Sequence, residues 1–172
     1  MKRWAAAVAL AAAGCGTRDP GGDPPQTPPA FASLAEDFVY QSLALSPVAA
    51  TGAGYHVHNG VRLDEQLDDY SAAGVERARR FYASFRDRIA AIRPESLTPD
   101  DRADFDIVSD QVALGLLELD EIQNYRHNPT VYVELIGNAL FSPWVLEYAP
   151  KPERVRHIIA RLEKVPALVE QA

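Results

Sequence analysis

Four histidines (His56, His58, His127 and His157) and a single cysteine, Cys15, are the side chains of this 172-residue sequence best suited to metal binding or nucleophilic chemistry. Their spacing excludes the common arrangements. There is no H-E-x-x-H, no G-x-S-x-G, no phosphate-cradling G-x-x-x-x-G-K-[ST] and no C-x-x-C. His56 and His58 could both reach a metal only if a loop presented them together and a third ligand came from elsewhere; an exposed polar loop explains them more simply. The run "DDRADFDIVSD" has the acids of a calcium loop but lacks its turning glycine. With Phe105 and Ile107 at core spacing, its acids read as the solvated face of a helix. The stretch "YRHNPTVY" gathers Tyr125, His127 and Tyr132 around an Asn128-Pro129 turn. A capped helix start accounts for it. The alternative is a cleft wall lined by His127, Asn128 and Tyr132. No residue here is assigned a catalytic role or a metal.

Cys15 has a different logic. Lys2 and Arg3 precede an apolar run from Trp4 to Ala13, and small residues lead into the cysteine. That is the order of an export signal: charged start, short apolar core, small-residue cleavage site. The run is too short to span a bilayer, which takes about 20 residues. Ala12-Ala13-Gly14-Cys15 resembles a bacterial lipobox, with alanine where leucine is usual. The expectation is a signal peptide over 1–14 and a lipid on Cys15 that anchors the protein to a membrane without a spanning helix. Gly16, where aspartate would favour retention at the inner membrane, points to the outer membrane facing the periplasm. Residues 15–30 follow as a Pro/Gly-rich tether, too poor in apolar groups to offset the entropy of ordering.

Loss of Lys2 and Arg3 with the leader takes the formal charge from −7 to −9. So acidic a chain lacks the basic face that nucleic-acid binding needs. About 140 residues remain for one domain with a real core. With one cysteine, no internal disulfide can brace it.

Periodicity after Pro29 is helical throughout, and predicts an all-α bundle of about five helices over 31–172. Phe31, Leu34, Phe38 and Leu45 lie near one stripe of the first helix, which Pro47 should end. Residues 51–71 show no sustained period and read as a long loop, a feature often tied to function. A second helix, from about Ser71 to Ile92, carries Val75, Ala78, Phe85 and Ile89 on one face and five arginines elsewhere. Thr98 caps a third, Pro99 takes its first position, and it continues to about Tyr125. This third helix has two apolar stripes, one through Val108 and Val112, another through Ile107, Leu114 and Leu117, so it belongs near the bundle centre. Its acids complement the arginines of the second helix, predicting an antiparallel hairpin. A fourth helix should start after Pro129 and stop before Pro143. The fifth, starting at Pro152, presents Val155, Ile158, Ile159 and Leu162 as its core face, until Pro166 breaks or kinks it. Ala172, with no cap or polar tail, reads as a cut through an element still in progress.

The series "FVYQSLALSPVAATGAGYH", "LDDYS", "NPTVY" and "RLEKVPALVEQA", in that order, resembles the N-terminal third of the bacterial family called domain of unknown function 885. The resemblance covers about Phe31 to Ala172. It implies a longer, almost wholly helical, exported protein related to zinc metallopeptidases, with a His-Glu metal-binding helix in a C-terminal half. None of those ligands falls in this chain, which holds no cofactor of its own on this reading; zinc belongs to the intact protein. The expectation is therefore an N-terminal lobe of a lipid-anchored, metal-dependent hydrolase, whose partners are the membrane, peptides and a C-terminal lobe. The alternative is a complete small helical periplasmic lipoprotein that serves as a binding or scaffold module.

Overall fold

A computed structural model describes residues 29–172; Cys15, the leader and nearly all of the tether lie outside them. The protein is all-α. Five longer helices, α1 (Pro29–Leu45), α3 (Ala72–Ala90), α4 (Pro99–Leu117), α6 (Thr130–Val145) and α7 (Lys151–Leu162), are supplemented by short α2 (Pro47–Gly52), α5 (Asn124–His127) and α8 (Val165–Val169). The described strands are the two-residue pair β1 (Val57–His58) and β2 (Val61–Arg62).

One half of the molecule is an apolar three-helix core. Leu34 and Phe38 of α1 meet Phe85 and Ile89 of α3 and Val108 and Val112 of α4. Phe38 and Phe85 lie edge to face with centroids 5.4 Å apart, a geometry that adds to the stabilisation from area burial alone. Ser71 caps α3 by accepting the Gly74 N–H, and Thr98 caps α4 by accepting the Asp101 N–H at 3.1 Å. These are the helix starts that the sequence signals.

The α3–α4 hairpin is antiparallel, but charge is not what closes it. The ion pair that α3 makes toward the end of α4 runs from Arg79 to Asp120, in the turn that follows α4, at 2.6 Å. The other arginines of α3 bind Glu76, Asp87, Asp69 or, through Arg88, Asp37 of α1. Close approach comes instead from Gly115, where an added Cβ would lie 2.6 Å from the Tyr82 ring. Gly115→Ala should therefore push Tyr82 out of place and destabilise the protein by about 1–2 kcal/mol, despite the better helix propensity of alanine. Urea denaturation of the two proteins measures the difference directly.

Four expectations need correction here. Pro47 does not simply end a helix; it opens α2 one residue after Ser46. The supposed loop of 51–71 is built structure. It contains the end of α2, a hairpin turned by Asn59 (φ 47°) and Gly60 (φ 79°), and a 3₁₀ turn over Leu63–Glu65. Asn-Gly between two strands is the signature of a turn that needs left-handed backbone at both positions. The third helix does not run on to Tyr125. It widens into a π-type turn over Glu118–Ile122, Gln123 adopts a left-handed conformation (φ 53°), and the Glu118 carboxylate receives the Asn124 N–H. The second stripe of α4 is not central either: Ile107, Leu114 and Leu117 are exposed.

Candidate functional site in a polar core

The other half of the molecule packs α2, the hairpin, the 3₁₀ turn, α6 and α7 around charge. Helix α6 does not stop before Pro143 but incorporates it. A proline inside a helix cannot donate to the carbonyl four residues back, here that of Ala139. Arg161 of α7 supplies the missing donor, its Nη1 lying 2.8 Å from Ala139 O. About two turns earlier, Arg154 donates to the carbonyls of Pro143 and Trp144, both at 2.8 Å, at the helix end where carbonyls are left open.

These bonds decide which way α7 faces. Its buried line is Arg154, His157 and Arg161. The expected core face is divided: Val155 and Ile158 are half-buried, whereas Ile159 is 50% exposed and Leu162 47%. An unpaired buried carbonyl is more costly than an exposed isoleucine, so hydrogen bonding overrides the apolar pattern.

Arg161 is 0% exposed and joins four segments. Besides Ala139 it donates to the carbonyls of Gln66 (2.9 Å), Pro47 (3.2 Å) and Leu63 (3.2 Å), and to Thr51 Oγ1 (2.6 Å). Burial lowers its pKa, the nearby Asp64 carboxylate opposing, yet a guanidinium remains charged in any such site. The Thr51 hydroxyl, accepting from Arg161, donates onward to Asp64 Oδ1 at 2.7 Å. Buried Asp64 also meets His56 Nδ1 at 3.0 Å. The His56 ring lies flat on Tyr148, centroids 4.4 Å apart, and the Tyr148 hydroxyl reaches His157 Nδ1 at 3.0 Å. Burial, followed by the Asp64 charge, pushes the Tyr148 pKa up to about 12. The hydroxyl is therefore a proton holder at neutral pH.

A groove of about 380 Å³ opens beside this core, between α2 and α6, lined among others by Asp68, Tyr70, Glu134, Asn138 and Ser142. Burial pushes the Asp68 pKa up to about 6, against the lowering effects of the Val48 N–H, Arg161 and Ser46. Burial and the Asp68 charge carry Tyr70 up to about 12.

The sequence-predicted cleft residues separate. Tyr132 is buried, its hydroxyl 2.8 Å from Tyr125 O and 2.9 Å from Gln171 O. His127 and Asn128 are exposed, and Asn128 Oδ1 accepts the Thr130 N–H at the start of α6. The cavity nearest in sequence, about 430 Å³, is lined by Tyr70, Arg79, Tyr125 and Arg126 rather than by those three. His56 and His58 bind different partners, Asp64 and the Tyr55 hydroxyl. Among the described residues no group of three or more His, Cys, Asp or Glu is placed to hold a metal, and no helix is long and apolar enough to cross a membrane. Sequence reasoning missed Thr51, Asp64, Tyr148 and Arg161. The available signal was Pro143 in an apolar run, with arginines at helical spacing on the next helix.

These features define an all-α bundle with one apolar and one polar core. The chain belongs to the family described as bacterial proteins of unknown function, DUF885, whose match spans residues 47–172. The polar core lies wholly inside that span. No curated protein and no solved structure gives a significant match.

Proposed function

We propose that this chain is the N-terminal helical lobe of an exported, lipid-anchored, metal-dependent hydrolase of peptide-like substrates. The lobe assignment is carried by the outward apolar face of α6 and α7. Trp144 is 57% exposed, and Phe141, Val133, Ile159 and Leu162 are also bare. Exposed apolar side chains on two packed helices suit the docking of a second helical body. The hydrolase chemistry follows from the family resemblance. The described residues offer no ligand set for the zinc that it implies, so this lobe's part is to shape and line the cleft. The groove beside Asp68 and Glu134 has a volume suited to a few amino-acid residues.

The lipid anchor has its own test. Cys15→Ser should move the protein from the membrane fraction to the soluble periplasm and abolish labelling by radioactive palmitate; membrane retention of this variant would exclude a Cys15 anchor. For the activity, native protein isolated from its own membranes is incubated with a pool of peptides, with and without chelator, and the products are read by mass spectrometry. Chelator-sensitive cleavage is expected. A folded, lipidated protein that cleaves nothing would instead be a binding or scaffold module.

A further inference from the structure

The four histidines are held in four different ways. His157 is buried, with Nδ1 taken by Tyr148. His58 has both ring nitrogens engaged, by the Tyr55 hydroxyl at 2.8 Å and the Asn59 amide at 3.1 Å. His127 is exposed, with no hydrogen bond to its ring among the described residues. His56 alone is both fixed and open. Its Nδ1 lies on a buried carboxylate, its face lies on Tyr148, its side chain is 30% exposed, and no described residue bonds Nε2.

Asp64 as a carboxylate can only accept, so in the neutral imidazole the ring proton sits on Nδ1 and the lone pair on Nε2, which no described residue bonds. A carboxylate behind an imidazole is the arrangement that fixes tautomer and ring direction where a histidine acts on something else. The support extends further back, through Thr51 to Arg161. Four segments thus converge on one partly open ring: α2, the 3₁₀ turn, the chain after α6, and α7.

We propose that His56 is a ligand-contacting residue whose Nε2 accepts a hydrogen bond from an N–H or ammonium group of a peptide-like ligand, with Asp64 as its positioning residue. The ligand class rests on the hydrolase-lobe reading; the presence of a contact point at Nε2 does not. The surroundings favour a donor over an anion. The nearest hairpin cation, Arg62, is already paired with Glu65 and Glu153, and Lys164 is bound to Glu65 O and Gln66 Oε1. The whole chain carries a formal charge of −7, which attracts cationic groups.

The test is a titration of the protein, labelled with ¹⁵N-histidine, with trialanine, following all four imidazoles by NMR. Saturable movement of the His56 Nε2 resonance, with His127 unmoved, is expected. Asp64→Asn should weaken the apparent affinity about fivefold to tenfold, as expected for a misdirected hydrogen bond. Should that variant fail to fold, His56→Gln at the partly open ring is read by calorimetry, with the same loss expected. An unmoved His56, whether or not other resonances shift, overturns the proposal, and so does unchanged affinity in His56→Gln. The two readings fail separately. Movement of His56 without peptide cleavage keeps the contact and removes the hydrolase; cleavage with His56 unmoved does the reverse.

Discussion

Arg161→Ala is expected to destabilise the protein by about 4 kcal/mol, in the range seen when one partner of a buried charge network is removed. The substitution strips donors from the carbonyls of Pro47, Leu63, Gln66 and Ala139 and from Thr51. All but the part-buried Gln66 carbonyl are buried, and the Ala139 carbonyl has no substitute donor because Pro143 cannot return to it. Asp64 also loses the cation that faces it. For a domain whose total stability is about 5–15 kcal/mol, that is a large share. The loss should also be uneven. The apolar core of α1, α3 and α4 does not depend on Arg161, so the α2–α6–α7 half should open first. Trp144 reports on that half. Its fluorescence should change at lower urea than the far-UV circular dichroism in the variant, while the two coincide in the parent. Arg161→Lys keeps the charge but not the five-donor fork, and should recover only part of the loss. A loss below about 1 kcal/mol in Arg161→Ala would falsify the view that this side chain organises the polar core.

Asp68→Asn should have the opposite sign, and only at neutral to alkaline pH. Asp68 holds its proton up to about pH 6 in the folded protein, against 3.8 ordinarily. Between those values the folded state binds more protons than the unfolded one, so stability falls as pH rises through the window. Above it the full penalty for an ionised, largely buried carboxylate is present. A rise from 3.8 to about 6 corresponds to about 3 kcal/mol; residual exposure to solvent brings the expected gain nearer to about 2 kcal/mol. Asparagine can still accept the Val48 N–H through Oδ1 and carries no charge to desolvate. The variant should therefore exceed the parent in urea midpoint at pH 8, and the advantage should vanish near pH 4. An advantage of equal size at both values would place its origin in something other than ionisation.

Much of this architecture is legible in the chain as written. The caps Ser71 and Thr98, the apolar spacing of Leu34–Phe38, Phe85–Ile89 and Val108–Val112, and the Asn-Gly turn all act within a few residues. Local steric and hydrogen-bonding preferences suffice to set them. Family membership, too, comes from sequence order. The polar core is different in kind. His56 and Asp64 are eight residues apart and their bond was within reach of inspection, but nothing nearby shows that Asp64 is buried. Thr51 and Arg161 are 110 residues apart, and neither predicts the other. Half of the expected core face of α7, Ile159 and Leu162, is exposed for the same reason. Its amphipathic pattern is genuine, but the orientation is set by what α6 presents, namely carbonyls left open by Pro143 and by a helix end. By itself, the sequence determined that the chain is helical, where α3 and α4 start and how they are capped, and to which family the chain belongs, because these depend on neighbours along the chain. Only the tertiary structure decided that an arginine fills the second core and that one histidine of four is both held and open. Those outcomes depend on which distant groups would otherwise be buried without a partner.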